Sequence, residues 1–214
     1  MPKADQELVI ISTKEAYLSD IQKDSLRKMV LLKDYITPLV TDFQYADTAN
    51  FTHVKLYDNP MPYLRMQPAH ALQKINKELK VKGLGLKIFD AYRPYAVTKK
   101  MWEVVPDERY AANPAKGSGH NRGAAIDITL FDLKTGKELP MPTPFDNFTE
   151  QAHHSYMQLP ENVIKNRKLL RDVMEQYGFI ALETEWWHYS WPNAAQLYPI
   201  LDFDFKEMKE LVKK

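Results

Sequence analysis

Two short stretches hold most of the side chains that could do chemistry. One is GSGHNRGAAIDITL, residues 117–130, with His120 and, seven positions later, Asp127. The other is ETEWWHYSW, residues 183–191, with Glu185 and His188 three apart on either side of a tryptophan pair. Gly117, Gly119 and Gly123 flank His120 and permit backbone conformations that other residues resist. Asp127 falls inside an otherwise apolar run, where a carboxylate needs a metal, an arginine or several donors to compensate its burial. Glu185 beside two tryptophans is costly to bury without a partner or a task. Each residue also has a plain structural reading. Asp127 could cap a turn, His120 could be a satisfied loop histidine, and Trp186, Trp187 and Trp191 suit a core or a pocket wall.

Taken together, the residues make a coherent zinc site. His120, Asp127 and His188 supply two imidazoles and one carboxylate. Three protein ligands leave one position for water, as a catalytic zinc requires and a structural zinc avoids. Glu185 is then the acid kept off the metal to take a proton from that water. One obstacle stands in the way. On a regular strand, residues three apart point to opposite faces, so the chain must bend, bulge or end near Trp186–Trp187 for Glu185 and His188 to share a site. Arg93, in FDAYRPY, follows a buried strand at a helix start. It suits a salt bridge to Asp90, and equally a guanidinium aimed at the oxyanion formed when water attacks a carbonyl.

The elements that must position these groups are readable in outline. Ile21, Met29, Leu32 and Ile36 are spaced for a helix over residues 20–35. Residues 38–59, rich in aromatic and β-branched types, predict short strands or extended segments. Residues 68–83 read as a helix, with Pro68 in its first turn, a Leu72, Ile75, Leu79 stripe and Gly83 as its C-terminal cap. Residues 85–92 read as a short buried strand, and Pro94 as the first position of the next helix. Residues 124–132 predict a strand with Ala124, Ile126, Ile128 and Leu130 on one face and Asp127 and Thr129 on the other. Thr135-Gly136 predicts a hairpin turn, and residues 140–154 a long proline-punctuated loop of the kind that often carries function. Residues 161–179 form the clearest helical pattern, and residues 179–191 a strand or strand pair. Helices and strands mix without regular alternation, which points to an α+β fold.

Composition sets further bounds. The 214 residues, 44% hydrophobic, suit one domain. Lys plus Arg total 29 against 28 for Asp plus Glu, so no nucleic-acid footprint or polybasic membrane patch is expected. With no cysteine, thiolate ligands and nucleophiles are excluded. No apolar run is long enough to span a bilayer. The first ten residues do not read as a signal peptide, which is compatible with a cytoplasmic protein or a trimmed periplasmic one. Nothing here sets the oligomeric state. His153 and His154 are expected to pack and hydrogen-bond beneath the site, His53 and His70 to lie on the surface, and KEMKELVKK to be a solvated helix end.

The stretches DAYRP, SGHNRGAAIDITL, PFDNFTEQAHH and EWWHY stand in an order and spacing that resembles the zinc D-alanyl-D-alanine dipeptidases of the vancomycin-resistance type. That family lies within a zinc peptidase group that shares a fold with the hedgehog signalling domain. The resemblance covers roughly residues 40–205, with residues 1–38 as an N-terminal helical extension to a single peptidase domain. It implies a small antiparallel sheet flanked by helices. It implies one zinc per chain at His120, Asp127 and His188, Glu185 as general base and then acid, and Arg93 as stabiliser of the tetrahedral intermediate. It further implies Ser118 as a substrate contact, Asp146 as the receiver of the substrate ammonium and Tyr45 as a wall of the same pocket. The substrate so implied is a small D,D-dipeptide. A D,D- or L,D-carboxypeptidase acting on peptidoglycan stems is the alternative on this scaffold, and a non-catalytic zinc or peptidoglycan-binding module is the alternative of another class. Gly119 stands where other members carry a side chain, which is expected to loosen that edge of the site, and NPAKGSGH makes a short approach loop.

Overall fold

The computed structural model describes residues 8–213, so residues 1–7 of the expected N-terminal extension lie outside the described residues. The elements run β1 (Ile10–Ile11), α1 (Lys14–Lys23), β2 (Met29–Leu31), β3 (Leu39–Thr41), β4 (Tyr63–Arg65), α2 (Met66–Val81) and β5 (Leu84–Asp90). They continue through α3 (Tyr95–Val104), β6 (Ala125–Asp132), α4 (Glu161–Gln176), β7 (Ile180–Leu182), β8 (Glu185–Ser190), α5 (Ala194–Leu197), β9 (Ile200–Leu201) and α6 (Phe205–Val212). The fold is α+β. Its main sheet has five strands in the order β3-β5-β6-β8-β7. All neighbours are antiparallel, as expected, except β3 and β5, which run parallel at one edge. Two-stranded pairs, β1 with β9 and β2 with β4, stand apart from it.

The centre of the molecule is β6. Its residues are buried from Ala125 to Phe131, on both faces. Ile126, Ile128 and Leu130 alternate with Asp127 and Thr129, so one face is wholly apolar while the other carries polar groups. The helix α2 packs on β5, α4 packs on β7 and β8, and the two helices touch each other. Their buried stripes, Leu72, Ile75 and Leu79 on α2 and Leu170, Val173 and Met174 on α4, join the sheet residues in one core. Gly83 follows α2 at φ +75°, a left-handed position with open space around it, as the capping signal predicts. Pro94 precedes α3 as its N-cap, one position earlier than its expected place inside the helix. The turn at Thr135-Gly136 closes on a single bridge between Phe131 and Glu138.

Two stretches depart from their patterns. The helix expected over residues 20–35 ends at Lys23, and the chain becomes a 3-10 turn and then the strand β2. Asp24 breaks it: extended at φ −158°, it turns its side chain to accept from the Leu26 amide at 2.9 Å. Met29, Leu32 and Ile36 are buried as their spacing suggests, but pairing of Met29–Leu31 with β4 supplies the burial and overrides the helical period. The C-terminal KEMKELVKK is more than a solvated end. Its residues up to Val212 lie in α6, which is opened by an Asp204/Glu207 capping box and buries Phe205, Met208 and Leu211. No helix of the described residues is long and apolar enough to cross a membrane.

Candidate active site

A cavity of about 210 Å³ opens where β6, β8 and four loops meet. All eight residues singled out in the sequence line it. They are the donor trio His120, Asp127 and His188, the pair Glu185 and Arg93, and the three residues Ser118, Asp146 and Tyr45.

The trio is assembled by register. Asp127 on β6 and His188 on β8 are direct cross-strand partners, so their side chains leave the sheet on the same face. His188 Nδ1 lies 2.8 Å from Asp127 Oδ1. His120 comes in from the glycine-bounded turn before β6, which closes on itself through Gly123 N to His120 O at 3.1 Å and Ala124 N to Gly119 O at 2.9 Å. Its Nε2 lies 3.3 Å from His188 Nδ1 and 3.4 Å from Asp127 Oδ2. Bonds of about 2.0–2.2 Å place the ligand atoms of a tetrahedral centre about 3.3–3.6 Å apart. The two His120 separations fall in that range, and the 2.8 Å between Asp127 and His188 is shorter, a direct contact that a cation would spread. The far ring nitrogens are engaged as well. His120 Nδ1 donates to the Ala91 carbonyl at 2.7 Å, and His188 Nε2 lies 3.0 Å from Ser190 Oγ, which turns the inner nitrogens towards the common centre. The local field also favours positive charge. Burial alone would raise Asp127, but the two imidazoles outweigh it and hold its carboxyl well below the usual range. Burial lowers His188, and Asp127 reverses this into a net rise. His120, Asp127 and His188 therefore form a site that can hold a metal ion.

Glu185 reaches the same cavity because β8 is irregular. Ala181 pairs with Tyr189, but the next residue of β7, Leu182, pairs with Glu185. One step on β7 thus spans four on β8, and Trp186, Trp187 and His188 bulge between the paired positions. This is the break in strand phase that a shared site for Glu185 and His188 requires. Trp186 and Trp187 fill the bulge, both almost fully buried, with Trp187 forming cavity wall. Burial pushes the Glu185 carboxyl above its usual range, with His188 pulling it down less strongly than burial raises it.

Arg93 makes the salt bridge to Asp90 that its position suggested. Its Nε donates to Asp90 Oδ2 at 2.8 Å and its Nη2 lies 2.7 Å from the same oxygen. The guanidinium still borders the cavity and sits 5.0 Å above the Tyr45 ring. Burial would lower its pKa, yet Asp90 and the neighbouring acids raise it, so the charge is fixed. Asp146 takes a left-handed conformation at φ +58°. Its Oδ1 accepts from the Tyr45 hydroxyl at 3.1 Å, while its Oδ2 is buried without a partner. Burial first, and Asp127 second, push its carboxyl well above the usual range. Ser118 Oγ accepts from the Asn121 amide at 3.1 Å, which leaves its own proton to donate. Asn121 ties this turn to α3 by donating to the Arg93 carbonyl at 2.9 Å and to Thr98 Oγ1 at 2.8 Å.

Some expectations change. Gly119 does not loosen its edge of the site: a Cβ there would lie 2.7 Å from the Ala125 Cβ, so the alanine already fills that space. His154 is buried against the Tyr189 ring, but its Nε2 has no hydrogen-bond partner, against the expected hydrogen bond. His53 and His70 are exposed, and His120, Asp127 and His188 are the one metal-competent cluster among the described residues. Sequence reasoning passed over Ser190. The signal was there, since residues 188 and 190 share a strand face by alternation. Arg109, Tyr110 and Phe148 of the cavity rim carried no comparable signal.

Such an arrangement defines a class, the metal-dependent hydrolases that split a bond with water. Within it, the chain belongs to the D-Ala-D-Ala dipeptidase family of peptidases, peptidase M15, whose model matches residues 26–207. The match begins upstream of residue 40, where the motif resemblance starts. The chain is 36% identical over 167 residues to the D-alanyl-D-alanine dipeptidase of Escherichia coli (strain K12), across 78% of this chain and 86% of that one. It is 34% identical over 184 residues to the D-alanyl-D-alanine dipeptidase of Enterococcus faecium, across 77% and 90%.

Proposed function

We propose that the protein hydrolyses D-alanyl-D-alanine to two D-alanines, with one zinc ion per chain held by His120, Asp127 and His188. The observation that carries the reading is the Asp146 carboxylate, whose Oδ2 is buried and unpartnered in the wall of the cavity that holds the donor trio. An unpaired carboxylate oxygen is costly there, and the ammonium of a free N-terminus offsets that cost. The cavity, about 210 Å³, lies below the roughly 300–1,000 Å³ of sites for drug-sized ligands, which suits a dipeptide.

Two imidazoles and one carboxylate are a zinc donor set, and zinc supplies Lewis acidity that brings a water towards a pKa of about 7 and polarises a carbonyl. The Glu185 carboxylate takes a proton from the attacking water and later gives it to the leaving amine nitrogen. Its raised pKa suits both halves of that exchange. Arg93, locked by Asp90, faces the carbonyl oxygen as negative charge grows on it. Loss of one such donor costs on the order of 3 kcal/mol. Asp146 receives the substrate ammonium, and Tyr45, kept protonated by burial and by Asp146, holds that carboxylate in place. Ser118 donates its hydroxyl proton to the bound dipeptide.

The test is release of D-alanine from D-Ala-D-Ala, measured with and without a chelator, beside N-acetyl-D-Ala-D-Ala. The expected result is cleavage of the free dipeptide, loss with chelator, recovery with zinc, and resistance of the acetylated substrate. Equal cleavage of both substrates would replace this reading with a carboxypeptidase.

A further inference from the structure

A free dipeptide brings four features to the site: an ammonium, a scissile carbonyl, the water that attacks it, and a C-terminal carboxylate. Asp146, Arg93 and Glu185 answer the first three. The carboxylate has no cationic partner among them, although burying it unpaired is costly. Arg93 and Arg109 are the two Lys or Arg side chains that line the cavity. Arg93 already serves the scissile carbonyl, held in place by Asp90 through Nε and Nη2 deep in the cavity wall. Arg109 does not. Its side chain is 77% exposed at the mouth, and its ion pair is with Asp107, two residues away. Nε meets both Asp107 oxygens at 3.0 Å and Nη2 meets Oδ2 at 2.5 Å, but the guanidinium stands in solvent, where such a pair can exchange for another carboxylate.

The rim holds Arg109 near its task. Its guanidinium lies 5.3 Å over the Tyr110 ring. Tyr110 meets Phe148 edge-on at 5.1 Å, and Phe148 meets the cavity wall at Trp187 at 6.0 Å. The neighbouring anion, Glu108, is already taken by Lys116 Nζ and Asn113 Nδ2, each at 2.8 Å. Its charge therefore competes little for the guanidinium. Nη1 of Arg109 makes no hydrogen bond among the described residues, and the planar fork matches a carboxylate.

We propose that Arg109 determines specificity by exchanging Asp107 for the free C-terminal carboxylate of the dipeptide, a role that rests on the dipeptidase reading. The test compares D-Ala-D-Ala with D-alanyl-D-alaninamide, in the unaltered protein and in Arg109→Met, with zinc loaded in both. The unaltered protein favours the acid over the amide in kcat/KM, and Arg109→Met loses that preference through a rise in KM for the acid on the order of tenfold to a hundredfold, with kcat little changed. A variant that keeps the full acid preference, or one in which acid and amide suffer alike, overturns the role of Arg109 and leaves the dipeptidase reading standing. Failure of the unaltered protein to cleave D-Ala-D-Ala overturns both.

Discussion

Asp127 and His188 face each other across β6 and β8 as paired residues, with 2.8 Å between carboxylate oxygen and ring nitrogen. Ladder hydrogen bonds thus hold in place two of the three residues that can bind a metal ion. Asp127→Asn keeps the shape but halves the donor chemistry and removes the charge that attracts a cation. Its metal affinity should fall by more than the about 10–100-fold typical of losing a residue behind a ligand. Metal content after dialysis against a graded chelator measures it, and a stoichiometric ion in the variant would remove Asp127 from the donor set.

Glu185 stands in the cavity wall, outside the donor trio. Glu185→Ala should retain its metal and lose about 10²–10⁴-fold in kcat, the usual share of a general base. Metal content and turnover on one preparation separate the two effects. Near-normal turnover would assign the proton transfer elsewhere.

Ser190 Oγ meets His188 Nε2 at 3.0 Å, the contact through which it would orient that ring for a metal. Ser190→Ala should weaken metal binding by about 10–100-fold, and Ser190→Thr, which keeps the hydroxyl, should recover most of it. Competition with a chromophoric chelator reads the affinity directly. Identical affinities for the three proteins would make the hydroxyl a bystander.

Gly119 packs against Ala125 with no room for a methyl group, at 2.7 Å between the built Cβ and the alanine's. Gly119→Ala should cost about 1–3 kcal/mol of stability by overpacking. Adding Ala125→Gly should return much of it, since the two sites touch. Urea denaturation of the single and double variants tests this, and strict additivity would contradict it.

His154 gives a pH dependence away from the metal. Burial first, and Arg171 after it, lower its pKa from 6.5 to about 4. Between those values the unfolded chain binds a proton that the folded chain refuses. The contribution is therefore complete above 6.5 and is lost as pH falls towards 4, on the order of 1–2 kcal/mol after allowance for partial solvent screening. His154→Phe, which keeps a ring against Tyr189, should flatten this part of the stability curve. Parallel curves for the two proteins between pH 7 and pH 4.5 would show that His154 contributes nothing to it.

Much of the architecture was legible because it is local. The α2 stripe of Leu72, Ile75 and Leu79, its Gly83 cap, and the alternation around Asp127 are patterns of period 3.6 or 2 within one segment. The strand β2 was not legible: its apolar residues fit a helical period, and pairing with Tyr63–Arg65, more than thirty residues downstream, decides the outcome.

The candidate site divides in the same way. Residue types and short spacings determined the chemistry on offer, since a glycine-bounded histidine, a carboxylate in an apolar strand and a Glu185–His188 pair together supply a donor set and a base. Whether these groups meet was decided only in three dimensions. The slip of β8 against β7 turns Glu185 and His188 towards one cavity, although regular alternation would separate them. The same packing leaves Asp146 Oδ2 buried without a partner and Arg109 exposed at the rim, paired with Asp107. Register, burial and unpaired charge depend on which distant segments come together, and no stretch of the chain carries them alone.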